Sequence, residues 1–182
     1  MSRSEPDPIV RAAELRPGDH VVDTTFGLGR DALVASAAVG PTGSVIATES
    51  SLPLFLLGTH GLEDGPLSPD ELETLFGLQA CPIDLKRTEA KAFLASAADD
   101  SADVVLVDPM FGEPKTSDKG FQILRSLADL TPLDEEWITE AKRVARRWVI
   151  VKCGPSQPWF SDVGLEPVRG HSNANWWRAD LT

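Results

Sequence analysis

VVDTTFGLGRDALVAS, residues 21–36, decides the fold. His20 to Asp23 is a short apolar run suited to a buried strand, and Thr24 to Gly29 is a turn with two glycines. Arg30 to Ala38 is rich in alanine, the best helix former. Strand, glycine turn and helix, in that order, open a parallel crossover. Gly27-Leu28-Gly29-Arg30-Asp31-Ala32 fits G-x-G-x-x-G/A, in which glycines let the backbone turn tightly and approach a ligand. Alone, such a pattern also fits a plain tight turn. Here, however, Glu49 stands 20 residues after Gly29, at the end of the next apolar run, Ser44 to Thr48. A carboxylate at that place accepts hydrogen bonds from both ribose hydroxyls of a nucleotide-type cofactor.

The alternation continues on both sides of this unit. Pro8 to Leu15 reads as a short helix closed by Pro17-Gly18. Leu52 to Gly61 is apolar and helical, and Ser68-Pro69-Asp70-Glu71 has the cap, proline and acids of a helix start. A third strand is expected near Ala80 to Leu85, with Thr88 capping the helix after it. Asp103 to Val107 carries the unbroken apolar run of a central parallel strand buried on both faces. Thr131 to Asp134 opens a helix expected to reach about Arg147, and Trp148 to Val151 is a fifth strand. Glu166 to Arg169 and Asn175 to Leu181 suit a closing antiparallel pair, which would put Trp176 and Trp177 on opposite faces. The expected class is α/β: a Rossmann-like, mostly parallel sheet with helices on both faces, in a single domain over 1–182.

Composition narrows the function. The apolar share of 42% and charged share of 25% are those of a globular protein. No apolar run approaches the roughly 20 residues that span a bilayer, and the start MSRSEPDPIV lacks a signal-peptide core, so a cytoplasmic address without membrane is expected. Cys81, Cys153, His20, His60 and His171 show no metal-ligand spacing, so no metal is expected. A net charge of −11 argues against a protein that coats nucleic acid. The charge is uneven: residues 1–109 hold 7 Lys/Arg against 18 Asp/Glu, whereas 110–182 hold 10 of each. The second part is the better face for an anionic substrate.

Acid placement separates two cofactors that share this crossover. NAD brings a doubly anionic pyrophosphate to the helix N-terminus, where carboxylates are unwelcome. S-adenosyl-L-methionine (SAM) brings an ammonium group and a sulfonium. Asp23 ends the first strand, Asp31 opens the helix and Asp108 ends the fourth strand. A pocket edged by three acids suits a cation, unless Asp31 merely caps its helix.

Asp108-Pro109-Met110-Phe111 falls beyond the carboxyl end of the fourth strand, in the crevice where such sheets bind ligands. Methylating an exocyclic amine of a base requires its delocalised lone pair to be localised and aimed. Asp108 and the Pro109 carbonyl can accept the amine N–H bonds, and the Phe111 ring can stack on the base. A proline turn with a core phenylalanine is the plainer alternative. Lys152, at the crevice end of the fifth strand, is a candidate substrate contact, while Lys142, Arg143, Arg146 and Arg147 read as a solvated helix end.

VVDTTFGLGRDALVAS, IATES (46–50), DVVLVDPMF (103–111) and AKRVARRWVIVK (141–152), in this order, resemble the small-subunit ribosomal RNA methyltransferase J family and its uncharacterised bacterial relatives. The resemblance implies a seven-stranded class I SAM methyltransferase fold and, by extension, transfer to guanine N2 in ribosomal RNA. Carried over residue by residue, it assigns Asp23, Thr24, Gly27, Gly29, Arg30 and Asp31 to the cofactor loop. Glu49 with Ser50 falls at the ribose, Glu89 in Thr88-Glu89-Ala90 at the adenine, and Asp108, Pro109 and Phe111 at the catalytic station, with Met110 and Lys115 toward the substrate. Three features depart from the family pattern: the sequence as given begins almost at the first helix, where family members usually carry an additional N-terminal region, Gly112 stands where relatives tend to have Pro or Arg, and 113–122 carries only Lys115 and Lys119 as basic residues. They keep two further readings open, a methyltransferase acting on a small molecule or protein, and a non-catalytic SAM-binding partner subunit.

Overall fold

The computed structural model describes residues 6–63, 79–110, 119–153, 157–168 and 175–181. The elements are α1 (Pro8–Ala12), β1 (His20–Asp23), α2 (Arg30–Val39), β2 (Ser44–Glu49), α3 (Leu52–Glu63), β3 (Ile83–Arg87) and α4 (Ala90–Ser96). They continue with β4 (Ala102–Val107), α5 (Lys119–Leu127), α6 (Glu135–Val144), β5 (Ala145–Cys153), β6 (Glu166–Pro167) and β7 (Asn175–Asp180). Seven strands form one sheet in the order β3-β2-β1-β4-β5-β7-β6. The first five neighbours are parallel, and β7 runs antiparallel to both β5 and β6. The chain reverses strand order between β1 and β4, so the carboxyl ends of these two strands flank the natural crevice.

Strand alternation builds two cores, one on each face. Val21, Val104, Leu106, Trp148 and Ile150 pack with Ile9 and Ala12 of α1 and Ala32, Ala35 and Val39 of α2. Val22, Val105, Val107, Val149 and Val151 pack with Leu94 of α4 and Trp137, Ile138 and Ala141 of α6. Two buried faces explain why the central strands read as unbroken apolar runs. The adjacent tryptophans divide as their period of two requires: Trp176 joins the first core, and Trp177 packs against the second, edge-on to Phe160 at 5.1 Å.

Three expected boundaries move. β3 begins at Ile83 rather than near Ala80, because Cys81 is engaged with α2: its amide donates to the Ser36 carbonyl and its carbonyl accepts from the Ser36 hydroxyl. Thr88 does not cap α4; Glu89 occupies the cap position without a side-chain bond, and the Thr88 hydroxyl donates to the Glu89 carbonyl. The α6 helix, capped by Asp134 accepting from the Trp137 amide at 2.9 Å, ends at Val144 and passes straight into β5. Arg146 and Arg147 therefore lie on a strand. Arg147 is tied to Asp19 at 2.6 Å, and Arg143 donates to the carbonyls of Leu94 and Ala97. This basic group is no solvated helix end but a set of ties, at the end of β5 opposite the crevice. The expected helix start at Ser68 to Glu71, and Phe111, Gly112, Lys115, Arg169 and His171, lie outside the described residues.

Candidate active site in the crevice

The glycine turn is held by the ends of three strands. The Thr24 amide and hydroxyl both donate to the Leu106 carbonyl of β4, at 3.0 and 2.9 Å. The Thr48 hydroxyl of β2 donates to the Thr24 carbonyl, and the Phe26 amide to the Thr48 carbonyl. Gly27 and Gly29 adopt φ of +57° and +79°, a region that suits glycine. A side chain at Gly29 would also meet the Phe26 ring at 2.6 Å, so the second glycine serves both turn and packing.

Glu49 sits where the crossover spacing places it, and it does more than face the crevice. Its Oε2 accepts from the Gly27 amide at 2.9 Å and its Oε1 from the Ser51 amide at 2.8 Å. One carboxylate thus braces the glycine turn and the entry to α3. Burial pushes the Glu49 carboxyl up, and the two amides pull it back. Ser50 beside it donates its hydroxyl to Asp129 at 2.8 Å, which draws the segment after α5 over this end of the crevice.

Alternation along neighbouring strands also gathers the acids. Asp23 and Asp108 follow the last core residues of β1 and β4 on the α1/α2 face, and Lys152 near the end of β5 joins them. Asp31 does not cap α2, whose cap position is Gly29 with no side-chain bond. Its carboxylate instead takes Arg30 at 2.7 Å through Oδ1 and Lys152 at 2.9 Å through Oδ2. Lys152 also holds Asp108 Oδ2 at 2.5 Å. Lys152 is thus engaged with two carboxylates while it lines the crevice. Arg30 continues outward to Asp7, the N-cap of α1, at 2.6 Å.

Asp23 is the most deeply placed of the acids, 1% exposed. Its Oδ1 accepts from the Thr25 amide at 2.9 Å, while Oδ2 has no hydrogen-bond partner among the described residues. Burial pushes its carboxyl up to about 7; the Thr25 amide opposes this, and nearby Asp31 and Asp108 add to it. The folded chain thus keeps this proton to a higher pH than the unfolded chain, whose carboxyl lies near 3.8. Stability from this group is complete below the unfolded value and is lost as pH rises through about 7. Unfolding by urea should therefore show the ligand-free protein losing about 2–3 kcal/mol relative to Asp23→Asn between about pH 5 and pH 8. Parallel pH dependence in the two proteins would contradict this environment.

One cavity of about 300 Å³ joins these parts. Among the expected site residues, Thr24, Gly27, Arg30, Asp31, Glu49, Ser50, Glu89, Asp108, Pro109, Met110 and Lys152 line it. Asp23 lies behind the turn, and Gly29 shapes the turn without lining the space. Sequence reasoning missed Thr25, whose hydroxyl accepts from the Asp108 amide at 2.7 Å and so links the first and fourth strand ends. It also missed Leu124, Ala128 and Asp129, whose approach depends on how α5 packs. The lining carries carboxylates at both ends, Glu49 beside the glycine turn and Asp31 with Asp108 at the start of α2 and the end of β4, while Asp23 keeps an unpartnered oxygen behind the turn; this donor set suits a ligand with hydroxyl and cationic groups.

Comparison with known proteins agrees with this chemistry. A family model described as "Putative SAM-dependent methyltransferase" matches residues 1–169. The chain is 37% identical over 167 residues to the uncharacterized protein YpiP of Bacillus subtilis, covering 92% of this chain and 63% of that one. It is 33% identical over 135 residues to the ribosomal RNA small subunit methyltransferase J of Rhodopseudomonas palustris, covering 74% and 55%. The chain thus spans less than two thirds of the curated relatives it matches. A SAM-dependent methyltransferase structure from Neisseria gonorrhoeae superposes with a TM-score of 0.60 at 20% identity, over 95% of this chain and 70% of that one. That likeness shows the Rossmann-like methyltransferase fold. Among the described residues, no helix is long and apolar enough to cross a membrane.

Proposed function

From the premise that the chain belongs to this family of SAM-dependent methyltransferases, we propose that it methylates an exocyclic amine of a nucleobase in RNA, of the guanine-N2 type. The observation that carries the reading is the placement of Asp108, Pro109 and Met110 on the same cavity as the glycine turn and Glu49. The relative named as a ribosomal RNA methyltransferase supports the substrate class, and ribosomal RNA processing in the cytoplasm is the matching role.

In this reading Glu49 and Ser50 hold the ribose and Glu89 borders the adenine. Asp23, Thr24, Gly27, Gly29, Arg30 and Asp31 form the seat of the methionine end. SAM, when bound, supplies a methyl group on a sulfonium and leaves as a neutral thioether. Asp108 accepts an N–H bond from the acceptor amine, and the Pro109 carbonyl can accept a second; both draw the lone pair out of ring conjugation and aim it. With SAM bound, attack by this lone pair would form the N–C bond while the C–S electron pair would pass to sulfur. Positive charge developing on nitrogen would be stabilised by the Asp108 carboxylate beside it, which can take the proton and return it to water, its side chain being 38% exposed. Phe111 is the stacking ring and Lys115 a contact to the RNA; both assignments rest on the sequence.

One observation favours a second acceptor class, a small molecule or protein. The chain is acidic, with a sequence pI near 4.6, and Arg143 and Arg147 are consumed in structural ties. The two readings separate when methyl-labelled SAM is offered with total RNA, with ribosomal subunits and with a metabolite pool. Label recovered as a base-methylated nucleoside after RNA digestion is the expected result. Label entering only small molecules or protein would overturn the RNA reading. SAM binding with no transfer to any pool would favour the non-catalytic module.

A further inference from the structure

Lys152 stands at the meeting point of three elements. It comes from β5, its Nζ bonds Asp31 at the start of α2 at 2.9 Å, and it bonds Asp108 after β4 at 2.5 Å. Across the sheet it pairs with Trp176 of β7, and its Nζ lies 5.6 Å from the centre of that ring. The ring gives the ammonium a favourable face and limits the ways the long side chain can leave. The lysine side chain is 28% exposed, that of Asp31 11% and that of Asp108 38%, so the bridge is shielded on its Asp31 side and opens to the crevice at Asp108.

Asp108 needs such a partner. An acceptor of N–H bonds works best as a carboxylate, because an ionised oxygen makes the stronger bond and a protonated one carries a competing donor. The surroundings work against ionisation: burial pushes the Asp108 carboxyl up, and Asp31 beside it pushes the same way. Asp23 contributes a further acidic neighbour behind the turn. Among the described residues, Lys152 and Arg30 are the cations that face Asp108. Arg30 is 59% exposed along its side chain and spends its guanidinium on Asp31 and Asp7. Lys152 is the one in direct contact, and Asp108 with Asp31 holds its ammonium charged against burial.

We propose that Lys152 is a positioning residue that keeps Asp108 ionised and in one orientation for the acceptor amine, anchored for that task by Asp31 and Trp176. The proposal rests on the reading of Asp108 as the amine acceptor, and it gives Lys152 a role through Asp108 instead of a direct hold on the substrate. A purely structural bridge, fastening α2 to the sheet, would predict lost stability in a Lys152 variant with no change in how Asp108 titrates in the folded protein.

Carbon-detected NMR of the Asp108 carboxyl in the ligand-free protein separates these roles, with the resonance assigned by its loss in Asp108→Asn. In Lys152→Met the Asp108 midpoint should move up, while Lys152→Arg should hold it near that of the unaltered protein. Lys152→Gln, which keeps a hydrogen-bond donor without the charge, should behave like Lys152→Met and serves if the latter folds poorly. Methyl transfer by the uncharged variants should fall at neutral pH and recover as pH is raised through the new midpoint, with SAM affinity retained. An unmoved Asp108 midpoint in both uncharged variants would overturn the proposal, as would a rate loss that raising the pH does not relieve. If the midpoint moves as expected and transfer goes to a small molecule, the RNA reading fails and the role of Lys152 stands.

Discussion

Asp108→Ala is expected to slow methyl transfer about a hundredfold, corresponding to roughly 3 kcal/mol of barrier for losing one positioned electrostatic partner in a restricted site. SAM affinity should change far less. Asp108 stands at the β4 end of the cavity, whereas the braces of the glycine turn come from Glu49, Thr24 and Thr48. The substitution also frees Lys152 from one of its two carboxylates, so Asp108→Asn makes the better companion: it keeps the shape and removes the charge. Single-turnover transfer from labelled SAM reads the chemical step, and calorimetry reads binding. Loss of binding together with rate would assign Asp108 to the cofactor pocket instead of the acceptor. Phe111→Ala, which removes the ring proposed to stack on the base, should weaken base binding by about 1–3 kcal/mol.

Glu49→Ala should weaken SAM binding by about 1.5–3 kcal/mol, a loss of more than tenfold. The effect has two sources. A carboxylate that can accept from ribose hydroxyls disappears, and the Gly27 and Ser51 amides lose the oxygens they donate to. Glu49→Gln keeps the side-chain length but can present only one acceptor oxygen, so it should fall between the two. The overall fold should persist, because Glu49 ends a strand at the cavity and belongs to neither core. Unchanged SAM affinity in Glu49→Ala would contradict the placement of the ribose.

The parts of the molecule legible in the sequence are those fixed by short-range chemistry. The glycine turn announces itself through Gly27 and Gly29, and Glu49 follows at crossover distance, so β1, α2 and β2 emerge from local spacing alone. The two-sided burial of β4 is written in its apolar run, and the division of Trp176 from Trp177 follows from the period of a strand. What stayed hidden depends on contacts between distant segments. The start of β3 is set by Ser36 holding Cys81, and the end of α6 by the register of Ala145 against Ala102. Arg147 looked like a helix-end charge until the sheet placed it beside Asp19. Lys152 could be placed at the crevice, but its partners could not, because the Asp31 bond joins β5 to a helix 121 residues away.

The crevice is suited to a cationic nucleoside, with carboxylates at the glycine turn acting as the counter-charge. Calorimetric titration of the unaltered protein with SAM, with its neutral product S-adenosylhomocysteine and with NAD tests it most directly. SAM and the product should bind, more weakly in Glu49→Ala, and NAD should bind poorly, because its pyrophosphate would have to lie beside Asp23 and Asp31 at the start of α2. Tight NAD binding with no binding of SAM would contradict it.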